Sequence, residues 1–362
     1  MYHFELLNAE DDRSWRAVAS HEDLTVFQTR AWISFVAATQ QAVPVIVEIR
    51  DGDRAIGHFV GLVVERLGVR ILGSPFPGWT TDYMGFILEP GSCRVSALCG
   101  LFEFAFARLG CAHVELMDRR LTVEDLSHVD VKYRLYEGFA VDLSLDETTL
   151  FANFTSACRR CIRKADKDGV EVEVASVEGF AEDYFAQLTD VFAKQGLVPT
   201  YGVDRVRQLI DHLHPAGHLM LVRARDQSGR SIATGIFPFL HGVMYFWGGA
   251  SWREFQILRP NQAVHWFAMR YAKAQGVHTY DLGGAGEYKR QYGGREIRIP
   301  WIRKSKYAWM ESARTLAQEV FRVRQQMQGQ WRQLFAKPRA VSVSGTVDSS
   351  NNHEPATSQV YR

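Results

Sequence analysis

The stretch 43-VPVIVEIRDGDRAIGHFVGLVVER-66 decides the fold, because 218-HLMLVRARDQSGRSIATGIFPFLHG-242 repeats its plan. Each reads as a strand, a Gly-containing turn and a second strand, with turns at Asp51-Gly52-Asp53 and Gln227-Ser228-Gly229. An arginine follows each turn, Arg54 and Arg230, and leads into an Ile-Gly or Ile-Ala strand. A further strand is expected at Tyr83–Leu88 in the first copy and at Val243–Trp247 in the second. Amphipathic helices come next, near Cys93–Leu109 and Asn261–Gln275. Gly110 and Gly276 suit the left-handed position past a helix end. Short strands then start at His113 (HVELM) and His278 (HTYDL). The copies lie about one domain length apart, so the chain reads as two αβ domains of one fold, each with a mixed sheet.

That spacing fits the whole chain. With 362 residues, 46% hydrophobic and 23% charged, it has the composition of a globular protein of two ordinary domains. The first domain is expected over 1–120, a connection over 121–145 with a strand near Phe139–Leu143, and the second domain over 146–302, opening with a helix at Glu147–Lys167. From Trp309, apolar residues recur at Ala313, Leu316, Val320, Val323, Met327, Trp331 and Leu334, spacings of three and four. They predict a basic amphipathic helix over 303–337, and the Ser-, Asn- and Thr-rich remainder, 338–362, reads as disordered. The net charge of +1 argues against a generally basic nucleic-acid binder. It hides a cancellation, however: Arg303 to Arg339 holds nine basic and two acidic residues, leaving residues 1–302 net negative. No apolar run reaches membrane-spanning length, and the N-terminus lacks a signal-peptide pattern. Five cysteines, an odd and small number, suit reduced thiols in the cytoplasm.

Four motifs in order carry a family resemblance: MYFWGGAS, LRPNQAVHWFAMRYAKAQGVHTYDLGG, EYKRQYGG, and the basic helix ACRRCIRKADKDGVEVEV. Together they resemble the FemAB-like branch of the GNAT superfamily, whose members transfer acyl or aminoacyl groups to amines. The resemblance covers roughly Leu145 to Trp301, and over the first half it rests on topology. It implies tandem GNAT domains and a cleft where strands splay apart. Here the cleft strand is Val243–Gly249, with Gly248 and Gly249 letting a ligand approach the backbone. The helix near Pro260-Asn261 offers free amides to phosphate, with Arg253 and Arg259 as further contacts. The loop SWREFQILRPN lacks the glycines of the usual acyl-CoA loop. Both an acyl-CoA and an aminoacyl-tRNA donor therefore stay open.

Lys289 lies in a stretch that resembles the family's Phe-Lys-x-x-Phe-Gly element, with Tyr288 replacing Phe. The resemblance places this lysine beside the reacting carbonyl, where an ammonium offsets developing negative charge. Asp281 and Glu287 are candidate proton acceptors for the attacking amine, with turn capping as the plainer reading of Asp281. Tyr245 and Trp247 either line a substrate pocket or fill core. Arg159, Arg163 and Lys167 share one helix face that suits phosphates of a nucleotide- or lipid-linked acceptor, or of tRNA, and equally suits solvent. The aromatic loop 75-PFPGWTTDY-83 is a candidate part of an acceptor groove. Cys158 and Cys161 make a lone C-x-x-C, and His212, His214 and His218 match no zinc spacing, so no metal is expected.

These readings converge on a cytoplasmic N-acyltransferase that modifies an amine of an envelope or polysaccharide precursor or of a small molecule. The amphipathic C-terminal stretch suits the inner face of a membrane. A catalytically silent binding or assembly factor using the same cleft is the alternative from another class.

Overall fold

The computed structural model describes residues 2–307 and 309, except 67, 195 and 285. The first half contains β1 (His3–Leu7), α1 (Asp12–Ala19), α2 (Arg30–Gln40), β2 (Val43–Asp51), β3 (Arg54–Arg66), β4 (Val69–Ser74), β5 (Phe86–Leu88), α3 (Arg94–Ala107) and β6 (His113–Met117). After β7 (Lys132–Asp142) and the helices α4 (Glu147–Asn153) and α5 (Ser156–Lys167), the order recurs. It comprises β8 (Glu171–Val174), α6 (Phe180–Lys194), α7 (Val203–Leu213), β9 (Leu219–Arg225), β10 (Ser231–Leu240), β11 (Val243–Tyr245), β12 (Gly248–Ser251), α8 (Pro260–Ala274) and β13 (Thr279–Gly284). The last strand is β14 (Arg295–Ser305).

All strands join one mixed sheet in the order β1-β2-β3-β4-β6-β14-β7-β13-β11-β10-β9-β8, with β5 on β3 and β12 on β10. The two hairpins turn where the sequence placed them, at Gly52 (φ 58°) and Gly229 (φ 80°), positions that need a positive φ. β3 is buried without interruption from Ile56 to Val64 because helices cover both faces of the sheet there. The expected helix Glu147–Lys167 is two helices. Thr155 interrupts it, its hydroxyl accepting from the Cys158 amide at 3.2 Å as the N-cap of α5.

The main departure from expectation is at the centre. Within residues 121–145, expected to be a connection, β7 lies in the middle of the sheet. It runs antiparallel to β13 on one side and to β14 on the other. β14, at the end of the second half, pairs with β6 of the first. Each half thus lends its last strand to the sheet of the other. Arg303–Ser305, expected to open a C-terminal helix, end β14 instead. The remainder of that helix, apart from 306, 307 and 309, and the tail 338–362 lie outside the described residues. A common core reinforces the exchange: Trp32, Ile33, Phe35 and Val36 of α2 pack in one buried cluster with Val206, Leu209 and Leu213 of α7. At about 1.5–3 kcal/mol for each large apolar side chain buried, that cluster binds the halves together.

Candidate active site

β11 and β13 run parallel, with Val243 beside Thr279 and Tyr245 beside Asp281. The next amide, of Phe246, donates to the Asp281 carbonyl at 2.8 Å, and then the strands part. Trp247 N–H turns to Ile236 of β10 at 3.1 Å, and among the described residues β12 beyond it pairs only with β10. The end of β13, Leu282 to Gly284, is buried at the wedge left where the strands part.

Two residues named from sequence meet at this wedge. The Asp281 carboxylate is buried and accepts from Gly283 N–H at 2.8 Å. Lys289 sits on a 3-10 turn, Glu287–Tyr292, and its ammonium donates to the Gly284 carbonyl at 2.6 Å. Burial pushes the Asp281 carboxyl up to about 8, with the charge of Asp82 adding to the shift. Burial also brings Lys289 down to about 8, opposed by Asp82 and Asp281. Tyr288 flanks the ammonium, its ring centre 5.8 Å from Nζ.

Asp82, which the sequence reading did not single out, comes from the other half. The 75–83 loop carries it across, and its carboxylate accepts from Tyr136 O–H at 2.6 Å. A side chain on Gly283 would come within 3.5 Å of Asp82 Oδ2, so the carboxyl group lies against the end of β13. Arg205 of α7 fixes the loop by donating to the Trp79 carbonyl and, at 3.3 Å, to the Thr80 hydroxyl. No local pattern marks Asp82, because its neighbours in space, Tyr136, Asp281 and Lys289, are all distant in sequence. His265 was also missed. It lies buried within the apolar stripe of α8, where imidazole Nδ1 shares a 2.7 Å hydrogen bond with Tyr280 O–H.

The other predicted residues lie elsewhere. Glu287 points outward, its side chain 87% exposed and paired with Arg290, because its place on the turn faces away from the wedge. Tyr245 packs in the common core against Phe27, with ring centres 4.7 Å apart. Trp247 is half-buried beside Tyr201 at 5.6 Å, and its indole N–H has no partner among the described residues. Gly248 and Gly249 make room for the protein itself. A Cβ on Gly248 would lie 2.4 Å from the Tyr184 hydroxyl oxygen, and one on Gly249 3.0 Å from the Phe246 ring. Arg253 is tied to Asp190 at 3.0 Å. Arg259 is exposed, with a left-handed backbone (φ 59°), and Asn261 is half-exposed at the start of α8. Arg159 is drawn back to carbonyls at the end of α4, Phe154 among them at 2.7 Å, and Arg163 lies over the Phe151 ring. Among the described residues, no group of three or more His, Cys, Asp or Glu is placed to hold a metal ion.

The first half parts in the same manner but is sealed. β4 leaves β6 after Ser74, and Met84 N–H donates to the Met117 carbonyl at 3.1 Å, the counterpart of the Phe246–Asp281 contact. Ser74 Oγ then accepts from Gly85 N–H at 3.0 Å, and Asp118 takes Phe86 N–H at 2.9 Å and Arg94 at 2.6 Å.

Residues 152–290 match the family described as acetyltransferase (GNAT) domain. The second half is a GNAT domain. The chain is similar in fold to FemX, with a TM-score of 0.65 at 16% identity over 83% of this chain and 97% of that one. A tandem GNAT protein from the clavulanic acid biosynthesis pathway superposes with a TM-score of 0.54 at 11% identity, over 85% and 99% of the two chains. A conserved protein of unknown function from Bacteroides thetaiotaomicron gives 0.56 at 12% identity, over 84% and 100%. No curated protein sequence matches the chain significantly. Residues 152–290 are thus a GNAT domain, and the chain shares the fold of FemX and of a tandem GNAT protein. Among the described residues, no helix is long and apolar enough to cross a membrane.

Proposed function

We propose that the protein transfers an acyl or aminoacyl group from an activated donor to an amine of an envelope or polysaccharide precursor, or of a small molecule. The observation that carries this reading is the convergence of the buried Lys289, Asp281 and Asp82 where β11 and β13 part. The amine nitrogen attacks the donor carbonyl, a C–N bond forms, and the C–O or C–S bond to the carrier breaks. Lys289 opposes the negative charge that gathers on the carbonyl oxygen, and an ammonium out of water does so strongly. Asp281 accepts the proton the amine gives up, and Asp82 tunes both groups from the other half.

The charge states set a pH dependence. Lys289 must be protonated, which favours pH below about 8, and Asp281 must be ionised, which favours pH above about 8. Activity then follows a bell centred near pH 8, whose two limbs belong to the coupled pair.

Acyl-CoA and aminoacyl-tRNA remain the two donor classes, and both meet envelope precursors at the cytoplasmic face of a membrane. Incubation with labelled acyl-CoAs and, separately, with charged tRNAs against a panel of amines decides between them. Lys289→Ala should lower kcat by about 10²–10³-fold with an unchanged melting temperature. Transfer from neither donor, together with full biological function of that variant, would replace this reading with a silent binding factor.

A further inference from the structure

We propose that His265 is a positioning residue for Lys289. Wedged between Phe246, where the strands part, and Tyr292, at the end of the lysine's turn, it holds the ammonium at the wedge. The inference deepens the acyl-transfer reading and rests on it.

The first half shows what the fold alone requires at this place. Buried positions of α8, Val264, His265, Ala268, Met269 and Ala272, recur in α3 with the same spacing as Ala97, Leu98, Leu101, Phe102 and Ala105. Leu98 therefore stands where the second half has His265. The matched contacts of Met84 with Met117 and of Phe246 with Asp281 likewise set Leu116 against Tyr280. Where one half buries two leucines, each 0% exposed, the other buries a hydrogen-bonded His265–Tyr280 pair. Packing a helix on this sheet does not call for an imidazole, and burying one costs free energy that an alkyl group avoids.

The contacts of the imidazole are with the machinery of the wedge. Its ring centre lies 4.6 Å from that of Phe246 and 4.7 Å from that of Tyr292. Residues three apart eclipse on a 3-10 turn, so Tyr292 and Lys289 share its buried side. Anchoring the Tyr292 ring fixes the register of the turn and with it the place of the ammonium on the Gly284 carbonyl. Burial and the nearby Lys289 charge push the imidazole down to about 3, so it stays neutral beside the cation. The titratable groups around Lys289 are Asp281 from β13, Asp82 from the first-half loop, Tyr288 from its own turn and His265 from α8; Arg295 of β14 acts on Asp281, and Tyr280 and Tyr292 border the imidazole. Replacing the polar ring by an alkyl group makes these surroundings less able to solvate an ammonium, which lowers its proton affinity further.

The test compares His265→Leu, the residue of the other half, with His265→Gln, which keeps a polar side chain for Tyr280. Competitive labelling of Lys289 with an amine-reactive reagent, followed by peptide mass spectrometry, reads its titration without turnover. For the Leu variant the midpoint should fall by about 0.5 unit or more. Its kcat should drop about 10-fold, with each KM within about twofold, and Gln should restore most of both. An unmoved midpoint, or equal losses in both variants that track melting temperature, overturns the proposal. If the midpoint moves in a wild-type background that transfers no acyl group to any amine, the positioning stands and the acyl-transfer reading falls.

Discussion

The two wedges of this molecule share a backbone plan and differ in what fills them. In the first half, Gly85, Phe86, Asp118 and Arg94 close the gap with hydrogen bonds and a buried ion pair. In the second, the strands part onto a buried lysine and carboxyl whose proton affinities are both strongly displaced. The loop that seals the first wedge continues into Asp82, which completes the cluster at the second. One copy of the fold has become a support that reaches into the other, so the difference between the halves is one of chemistry rather than of architecture.

Substitutions can break that contrast. The largest stability effect should come from Asp118→Ala in the sealed wedge. Losing that carboxylate leaves Arg94 half-paired and the Phe86 amide without its acceptor, at a cost of about 3–5 kcal/mol in denaturant unfolding, with little change in kcat for the folded fraction. Asp82→Asn should do the reverse. It should leave the melting temperature nearly in place and lower kcat by about 10–100-fold, since the variant removes a charge that tunes Asp281 and Lys289. If Asp82→Asn retains full activity, the first half is only a scaffold. A smaller effect tests the glycines of β12: Gly248→Ala should destabilise by about 1–3 kcal/mol because its methyl meets the Tyr184 hydroxyl. Combining it with Tyr184→Phe should recover part of that loss, and a double-mutant cycle showing no coupling would remove the steric account.

Local features of this fold were legible in the sequence. The hairpin turns, the helices α3 and α8, and their ends at Gly110 (φ 67°) and Gly276 (φ 83°) follow from patterns within a few residues. Lys289 and Asp281 could be named as candidates because both lie in the motif-bearing half. What could not be read is whatever depends on the two halves meeting. The first residues of β7, Lys132 to Leu135, are charged or exposed and look like linker, although β14 pairs along all of them. Asp82 carries no signature in its loop, and Gly248 looks like a ligand-facing glycine until Tyr184 is seen beside it. Glu287 was named for its place in a motif, and the three-residue period of its turn directs it outward.

The exchange of β7 and β14 has a consequence for how the chain comes off the ribosome. β6 pairs with β4 on one side, but its neighbour on the other is residues 301–305, so the sheet of the first half stays one strand short until nearly all of the described chain has been made. β7 waits in turn for β13 and β14. Pairings this distant in sequence form slowly, and the exposed strand edges invite premature association in the meantime. Nascent chains stalled before residue 295 should therefore be protease-sensitive throughout, and the two halves should gain protection together, as a single late event.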